Sequence, residues 1–86
     1  MITQTAFNLT DMPKKEYNGW SDWTTWNCAL WINNDEGLYN IARYCEDWFV
    51  FIAAMSEYGM NKTPYGAKWT EADYDEMSEM MAELQL

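Results

Sequence analysis

The chain contains no histidine, and its five lysine and arginine residues face 14 aspartate and glutamate residues, which gives 86 residues a formal charge of −9. Without histidine, a general base would have to be a carboxylate or a perturbed lysine or cysteine. The carboxylates fall on segments expected to be solvated, where nothing tunes them for proton transfer. We therefore do not expect an enzyme.

Motifs for metals and phosphates are missing as well. Oxygen-bearing side chains occur at 33–37 and 73–76, but neither run has the alternate ligands, central glycine and distal glutamate of an EF-hand loop. The chain also has no glycine-rich phosphate loop and no basic patch, and its negative field disfavours direct binding of nucleic acid. We expect no metal site and no cofactor.

Long apolar runs and cysteines are scarce. No stretch of about 18 apolar residues could span a bilayer, and residues 1–17 lack the features of a signal peptide. This favours an intracellular protein that does not contact a membrane. Cys28 and Cys45 lie in apolar segments, where a reducing compartment leaves them as buried thiols. The alternative is a redox-active disulfide between Cys28 and Cys45 that joins two helices.

Aromatic residues, by contrast, are abundant. They make up 17% of the chain, and Gly19–Trp31 alone contains four tryptophans. Large rings compensate for the small core that a chain of this length can build. We predict a single small, mainly α-helical domain at 19–86, preceded by a tail at 1–18 that is poorly structured or forms a short β-strand.

Apolar periodicity predicts a compact domain of three helices, at 22–32, 35–58 and 70–84. Ser21 is the expected N-cap of the first helix. The second helix would be capped by Asp35 or Asn34 and would end at Gly59. Thr70 and Asp73 have the spacing of a capping box at the start of the third. Tryptophans of the first helix would fill the centre.

The second predicted helix has an unusual central segment. Residues 48–55, WFVFIAAM, are apolar nearly all round, which is typical of a helix that is buried on both sides or forms an interface. The pair Glu46 and Asp47 just before it is a candidate bend. A strand over 48–53 is an alternative, because aromatic and β-branched residues also favour strands.

The third predicted helix is acidic on one side and contains no base. Six carboxylates lie between Glu71 and Glu83, about 18 Å at 1.5 Å per residue, which is one charge per about 3.6 Å. A DNA strand carries one phosphate per about 3.4 Å. Like charges four residues apart also destabilise a helix slightly. The pattern fits a mimic of the phosphate backbone, and a merely solubilising face is the alternative.

Several motifs resemble a family of short acidic proteins encoded by phages, including cyanophages. The resemblance covers about 17–86, and its marks are Gly19-Trp20, Thr25-Trp26-Asn27, Ala29-Leu30-Trp31, Asn34 to Tyr39, Ala42-Arg43 and the TPYGAKW run at 63–69. The segment NDEGLYNIARYCED at 34–47 is also similar to an acidic helical segment of ArdA-type antirestriction proteins, which mimic DNA. These resemblances imply a phage setting and host machinery as the target.

Two functions follow as hypotheses. The first is an inhibitor of a host nucleic-acid enzyme, of anti-CRISPR or antirestriction type, that binds a basic nucleic-acid-binding groove. Its contact residues would be the carboxylates Asp73, Asp75, Glu76, Glu79 and Glu83, with a second patch formed by Asp35, Glu36, Glu46 and Asp47. The second is a binding module for a host transcription or metabolic protein, anchored by the rings of Tyr39, Tyr44, Trp31 and Tyr58. A homodimer is an open alternative.

Overall fold

The computed structural model describes residues 19–85, and this part of the chain is mostly helical, as predicted. Within it, four α-helices and one 3-10 turn follow one another along the chain. The helices are α1 Trp23–Asn34, α2 Glu36–Ala42, α3 Trp48–Glu57 and α4 Tyr74–Leu84, and the 3-10 turn is Trp69–Glu71. The predicted tail at 1–18 lies outside the described residues. No helix within 19–85 has the length and apolar character needed to cross a bilayer.

Every α-helix begins at an aspartate. The carboxylates of Asp22, Asp35, Asp47 and Asp73 accept backbone N–H bonds from the third residue of α1, α2, α3 and α4 respectively. An N-cap of this kind satisfies one of the amides that the first turn leaves unpaired. The cap at Asp35 is confirmed, whereas Ser21 was the wrong residue for α1, because Asp22 takes that position.

The single helix predicted at 35–58 is wrong, because the chain turns between α2 and α3. The amides of Tyr44 and Cys45 donate to the carbonyls of Ile41 and Ala42, three residues back, which tightens and ends α2. Asp47 is then extended and caps α3. The bend at Glu46 and Asp47 is therefore a full break. The strand alternative is also wrong, since 48–53 is helical.

Helix α3 ends as its glycine predicts. Gly59 has a φ of +77°, the left-handed conformation that glycine adopts without strain. The amides of Gly59 and Met60 donate to the carbonyls of Ser56 and Met55, which is a Schellman motif. A tight turn follows, and the Thr63 hydroxyl accepts from the amide of Ala67 while donating to the Asn27 side chain at 2.7 Å. This pairing fastens the loop to α1.

The start of the third predicted helix is also corrected. Thr70 lies in the 3-10 turn, and Asp73 rather than Thr70 caps α4. Trp69 is fully buried, and its indole N–H donates to the carbonyl of Met60 at 3.1 Å. The ring is therefore part of the core. Because Trp69 has to reach the core, the chain forms a 3-10 turn there, and α4 begins only at Tyr74.

The core lies where α1, α3, α4 and the 3-10 turn meet. The rings of Trp48 and Phe51 stack at 4.8 Å between centroids, and Trp69 meets Phe51 edge-on at 5.2 Å. The Trp48 indole N–H donates to the carbonyl of Trp69 at 2.9 Å. From α1, Trp26 is buried as predicted, but Trp23 is only half-buried, and the rings at the centre come from α3 and the 3-10 turn rather than from the first helix. Methionines of α4 close the core from the other side, namely Met77, Met80 and Met81.

Candidate functional site

The outer side of α4 is a continuous row of carboxylates, which we name the acidic ridge. It consists of Asp75, Glu76, Glu79 and Glu83, whose spacings of one, three and four residues place all four within about 100° of the helix circumference. Glu76 is half-buried and the other three are exposed. The segment 69–84 contains no lysine or arginine, so no base within α4 or the preceding turn neutralises the ridge.

The row of six predicted carboxylates is shorter in the structure. Glu71 lies in the 3-10 turn, and the extended residues Ala72 and Asp73 separate it from α4. Asp73 serves as the cap, where its carboxylate accepts from the Glu76 amide at 2.9 Å. The ridge therefore places four charges over about 12 Å of helix, about one per 4 Å.

A groove of about 460 Å³ runs along the ridge, between α4 and the residues around the start and end of α1. Glu76, Glu79 and Glu83 form one side of it, and the Glu76 carboxylate accepts from the Ser21 amide at 3.1 Å. Apolar surface and one polar side chain complete the lining, namely Trp20, Met80, Leu84, Gly19 and Asn33. The groove thus combines negative charge with an aromatic ring and methionine.

The second predicted acidic patch is divided. Asp35 and Glu36 lie at the start of α2, and Glu46 and Asp47 follow its end, so the length of the helix, about 10 Å, separates the two pairs. Both aspartates are engaged as caps, whereas both glutamates are exposed. The pairs do not form one continuous surface with each other.

The predicted aromatic anchors differ in availability. Tyr44 and Tyr58 are 80% and 64% exposed, whereas Tyr39 and Trp31 are half-buried. The Arg43 guanidinium lies 5.8 Å from the ring centroids of both Tyr39 and Tyr44. Trp31 meets the Tyr65 ring edge-on at 5.5 Å. Of the four predicted anchors, Tyr44 and Tyr58 are therefore the ones exposed enough to contact a partner.

Sequence reasoning missed two exposed apolar residues. Phe49 and Val50 follow the buried Trp48, but they lie on the outer side of α3 and are 65% and 43% exposed. The apolar pattern of 48–55 does not distinguish Phe49 from the buried Trp48 beside it. The available signal was the segment's apolar character on all sides, which had indicated either burial on both faces or an interface.

The two cysteines are free and buried. Burial, and secondarily the charge of Asp22, raises the pKa of the Cys28 thiol to about 12. Burial, followed by the charge of Asp47, also raises the pKa of Cys45. Both residues are therefore protonated at neutral pH and are poor nucleophiles. The interpretation as core thiols is confirmed, and the redox-active disulfide is not formed.

Comparisons with known proteins give one match. Neither the curated proteins nor the solved structures contain a match to this chain. The profile of a protein family, described as a family of unknown function (DUF7249), matches residues 13–86, which includes the acidic ridge, its groove and all four helices. The match covers most of the sequence, and the chain belongs to this family of unknown function, DUF7249.

Proposed function

We propose that this protein is a phage-encoded inhibitor of a host nucleic-acid-processing defence enzyme, of anti-CRISPR or antirestriction type, acting in the host cytoplasm. It would occupy the enzyme's basic nucleic-acid-binding groove in place of nucleic acid. The observation that carries this proposal is the acidic ridge, four carboxylates on one face of α4 without a base among them.

The spacing of charge on the ridge supports mimicry. One carboxylate per about 4 Å of helix is close to the one phosphate per about 3.4 Å of a DNA strand. The rises between successive ridge carboxylates are about 1.5, 4.5 and 6 Å, so the ridge would offer the lysine and arginine side chains of a nucleic-acid-binding groove a similar average density of negative charge rather than the same register. Attraction between two opposite fields would also accelerate association and make it sensitive to salt.

The groove beside the ridge supplies a place for a cationic side chain. A lysine or arginine buries its methylene stem against apolar surface while its charged end stays near polar groups. Met80 and Leu84 offer such surface, and Glu76 and Glu79 offer acceptors on the same groove. The ring of Trp20 adds a face that attracts cations. The groove thus suits the side chains that line a nucleic-acid-binding site.

Asp75 and Glu76 lie in the first turn of α4, where the helix dipole favours acids, but other interactions within the ridge oppose stability and argue for a functional role. Asp75 and Glu79, and then Glu79 and Glu83, are like charges at i and i+4, and each such pair costs a few tenths of a kcal/mol. Glu83 in addition lies near the negative end of the helix dipole. A face needed only for solubility would include lysines and avoid these costs.

The test neutralises the ridge without changing its shape. The variant Asp75→Asn, Glu76→Gln, Glu79→Gln and Glu83→Gln keeps the acceptor for the Ser21 amide and leaves the Asp73 cap untouched. A matched control, Glu36→Gln, Glu46→Gln, Glu57→Gln and Glu71→Gln, removes an equal number of charges from exposed positions elsewhere, so both proteins change from −9 to −5. Glu36 and Glu46 belong to the second predicted patch, so the comparison also separates the ridge from that patch.

The measurement is displacement of labelled DNA from purified restriction and CRISPR effector complexes, at about 50 mM and about 200 mM salt. We expect the parent and the control to displace DNA, with weaker displacement at the higher salt, and the ridge variant to lose at least about tenfold in potency. Equal potency of the ridge variant and the parent, with the same salt dependence, would eliminate the proposal.

The second candidate function is a binding module anchored by aromatic rings. The observation that favours it is the exposure of Tyr44 and Tyr58, because tyrosine is enriched among the residues that dominate binding energies. Its partner would be a host transcription or metabolic protein. Binding of this kind would be lost in Tyr44→Ala with Tyr58→Ala, and it would change little between the two salt concentrations.

A further inference from the structure

The outer side of α3 carries an apolar surface that neither the ridge nor the two tyrosines explain. It consists of Phe49, Val50 and Ala53, all exposed, and we name it the α3 face. The ring of Phe49 is 4.5 Å from that of Tyr74, which extends the surface onto the start of α4. The opposite side of the same helix supplies Trp48, Phe51 and Met55 to the core.

The core does not require this second apolar side. A helix at the surface of a small domain normally has polar residues outward, because burial of one side already stabilises it. Phenylalanine and β-branched valine are also only moderate helix formers. Adjacent exposed apolar residues on a monomer, rimmed by polar ones, mark surfaces that bind another molecule.

The charges that α3, the residues just before it and the start of α4 place beside the α3 face are negative, and the cation Arg43 lines a pocket together with Glu46 at one end. Glu46 precedes α3, Glu57 is its last residue, and Asp75 follows Tyr74, and all three are exposed. Neither α3 nor α4 contains a lysine or arginine. A partner that covers the apolar centre therefore places its own flanking residues against carboxylates at both ends and along one side.

This rim argues against a second copy of the chain as the occupant. A two-fold axis through the α3 face would bring each rim against the same acidic residues of the other copy. The face is also small, because Phe49 and Ala53 are only about 6 Å apart along the helix axis, and it supplies only a fraction of the roughly 800 Å² that each partner buries in a stable interface.

From the apolar centre and the acidic rim, we infer that the α3 face binds an amphipathic helix of another protein whose apolar stripe is flanked by lysine and arginine. Such a helix packs its apolar stripe along Phe49 and Ala53 and directs its cations to Glu46, Glu57 and Asp75. This inference goes beyond the proposed inhibitor function, because the ridge needs only carboxylates, whereas this surface requires shape and apolar contact.

Three synthetic peptides of about 18 residues, a length that supports a helix, probe this surface. The first has leucines at helical spacing and lysines elsewhere. The second replaces the lysines with glutamates, and the third keeps the first composition but shuffles the leucines so that no stripe remains. The protein variants are Phe49→Gln with Val50→Gln, and as matched control Met60→Gln with Tyr65→Gln, which removes two exposed apolar side chains that belong to neither proposed binding surface.

Affinities are measured by the fluorescence anisotropy of labelled peptides, with circular dichroism to establish that each variant is folded. We expect the striped lysine peptide to bind the parent and the Met60 and Tyr65 control equally within about twofold, and to bind the Phe49 and Val50 variant about tenfold more weakly. The shuffled and glutamate peptides should bind the parent at least about tenfold more weakly than the striped lysine peptide.

Three results would overturn the inference. Undiminished binding of the striped peptide to the Phe49 and Val50 variant would remove the α3 face from the contact. If the shuffled peptide bound the parent as tightly as the striped peptide, net charge alone would explain the binding. Self-association of the parent in sedimentation velocity that disappears in this variant would make a second copy the occupant. None of these results bears on the acidic ridge, because all four of its carboxylates are present in every protein used.

Discussion

At the scale of single residues, Trp48 and Phe49 show how one step along a helix reverses the role of an aromatic ring. Trp48 is 1% exposed, stacks on Phe51 and donates its indole N–H to the Trp69 carbonyl. Phe49 is mostly exposed and contacts the ring of Tyr74 at the surface. The two residues should therefore respond very differently to truncation.

We predict that Trp48→Ala lowers the free energy of unfolding by about 3–5 kcal/mol, because it leaves a cavity in the core and removes one of the two hydrogen bonds that the Trp69 carbonyl accepts, the other coming from the Ala72 amide. This is comparable to the whole stability of a small domain, so the variant should be largely unfolded. Phe49→Ala should change stability by no more than about 0.5 kcal/mol, as expected for an exposed position. Urea denaturation followed by circular dichroism measures both, and similar values for the two variants would contradict the packing described here.

At the scale of elements, the aspartate caps combine two roles, since each carries a charge and accepts a helix amide. For α3 the two roles can be separated at Asp47, whose carboxylate accepts from the Val50 amide at 3.0 Å. Asp47→Ala should destabilise the protein by about 1 kcal/mol, and Asp47→Asn by only a few tenths, because asparagine is an equally good N-cap. Thermal unfolding of the pair tests this. If the asparagine variant lost as much as the alanine variant, charge rather than capping would be the dominant contribution of Asp47.

A helix boundary could be predicted from the sequence only where residues close to it in the chain determine it. The end of α3 was predictable, because Gly59 carries its own conformational signal, and so was the Asp35 cap. The break between α2 and α3 was not, because Cys45 and Trp48 continue the apolar period across it. The contact that fixes the chain there is distant, since the Trp48 amide donates to the Ser78 hydroxyl of α4. Similarly, only the tertiary position of Trp69 explains why α4 starts at Asp73.

The same distinction between local and tertiary determinants applies to the acidic ridge, its groove and the α3 face. The acidic ridge could be predicted because a helix and a run of acids without bases suffice to define it, and α4 keeps its four carboxylates on one face. The groove beside it could not, because Trp20 and Asn33 reach Glu76 and Glu79 only through the packing of α1 on α4. The α3 face was equally hidden, since an all-round apolar helix does not reveal which side the core uses.

At the scale of the whole molecule, the excess of carboxylates should make stability depend on ionic strength. Repulsion among exposed acids opposes the folded state and weakens as the Debye length falls from about 30 Å at 0.01 M salt to about 8 Å at 0.15 M. We predict that the free energy of unfolding rises by about 0.4–1 kcal/mol over this range, the size of two i,i+4 repulsions on α4. Urea denaturation at both ionic strengths tests this. The ridge variant should show a smaller rise, and a fall in the parent would mean that salt-sensitive attractions dominate instead.

The distribution of tryptophans gives the molecule built-in optical reporters. Trp48 and Trp69 are enclosed in the core, with their indole N–H groups bound to carbonyls, so their emission reports on unfolding. Trp20 is half-buried and lines the groove beside Glu76 and Glu79. A cation entering that groove changes the surroundings of this ring while the enclosed pair remains shielded. A change of fluorescence in the folded protein that disappears in Trp20→Phe therefore identifies occupation of the groove without any attached dye.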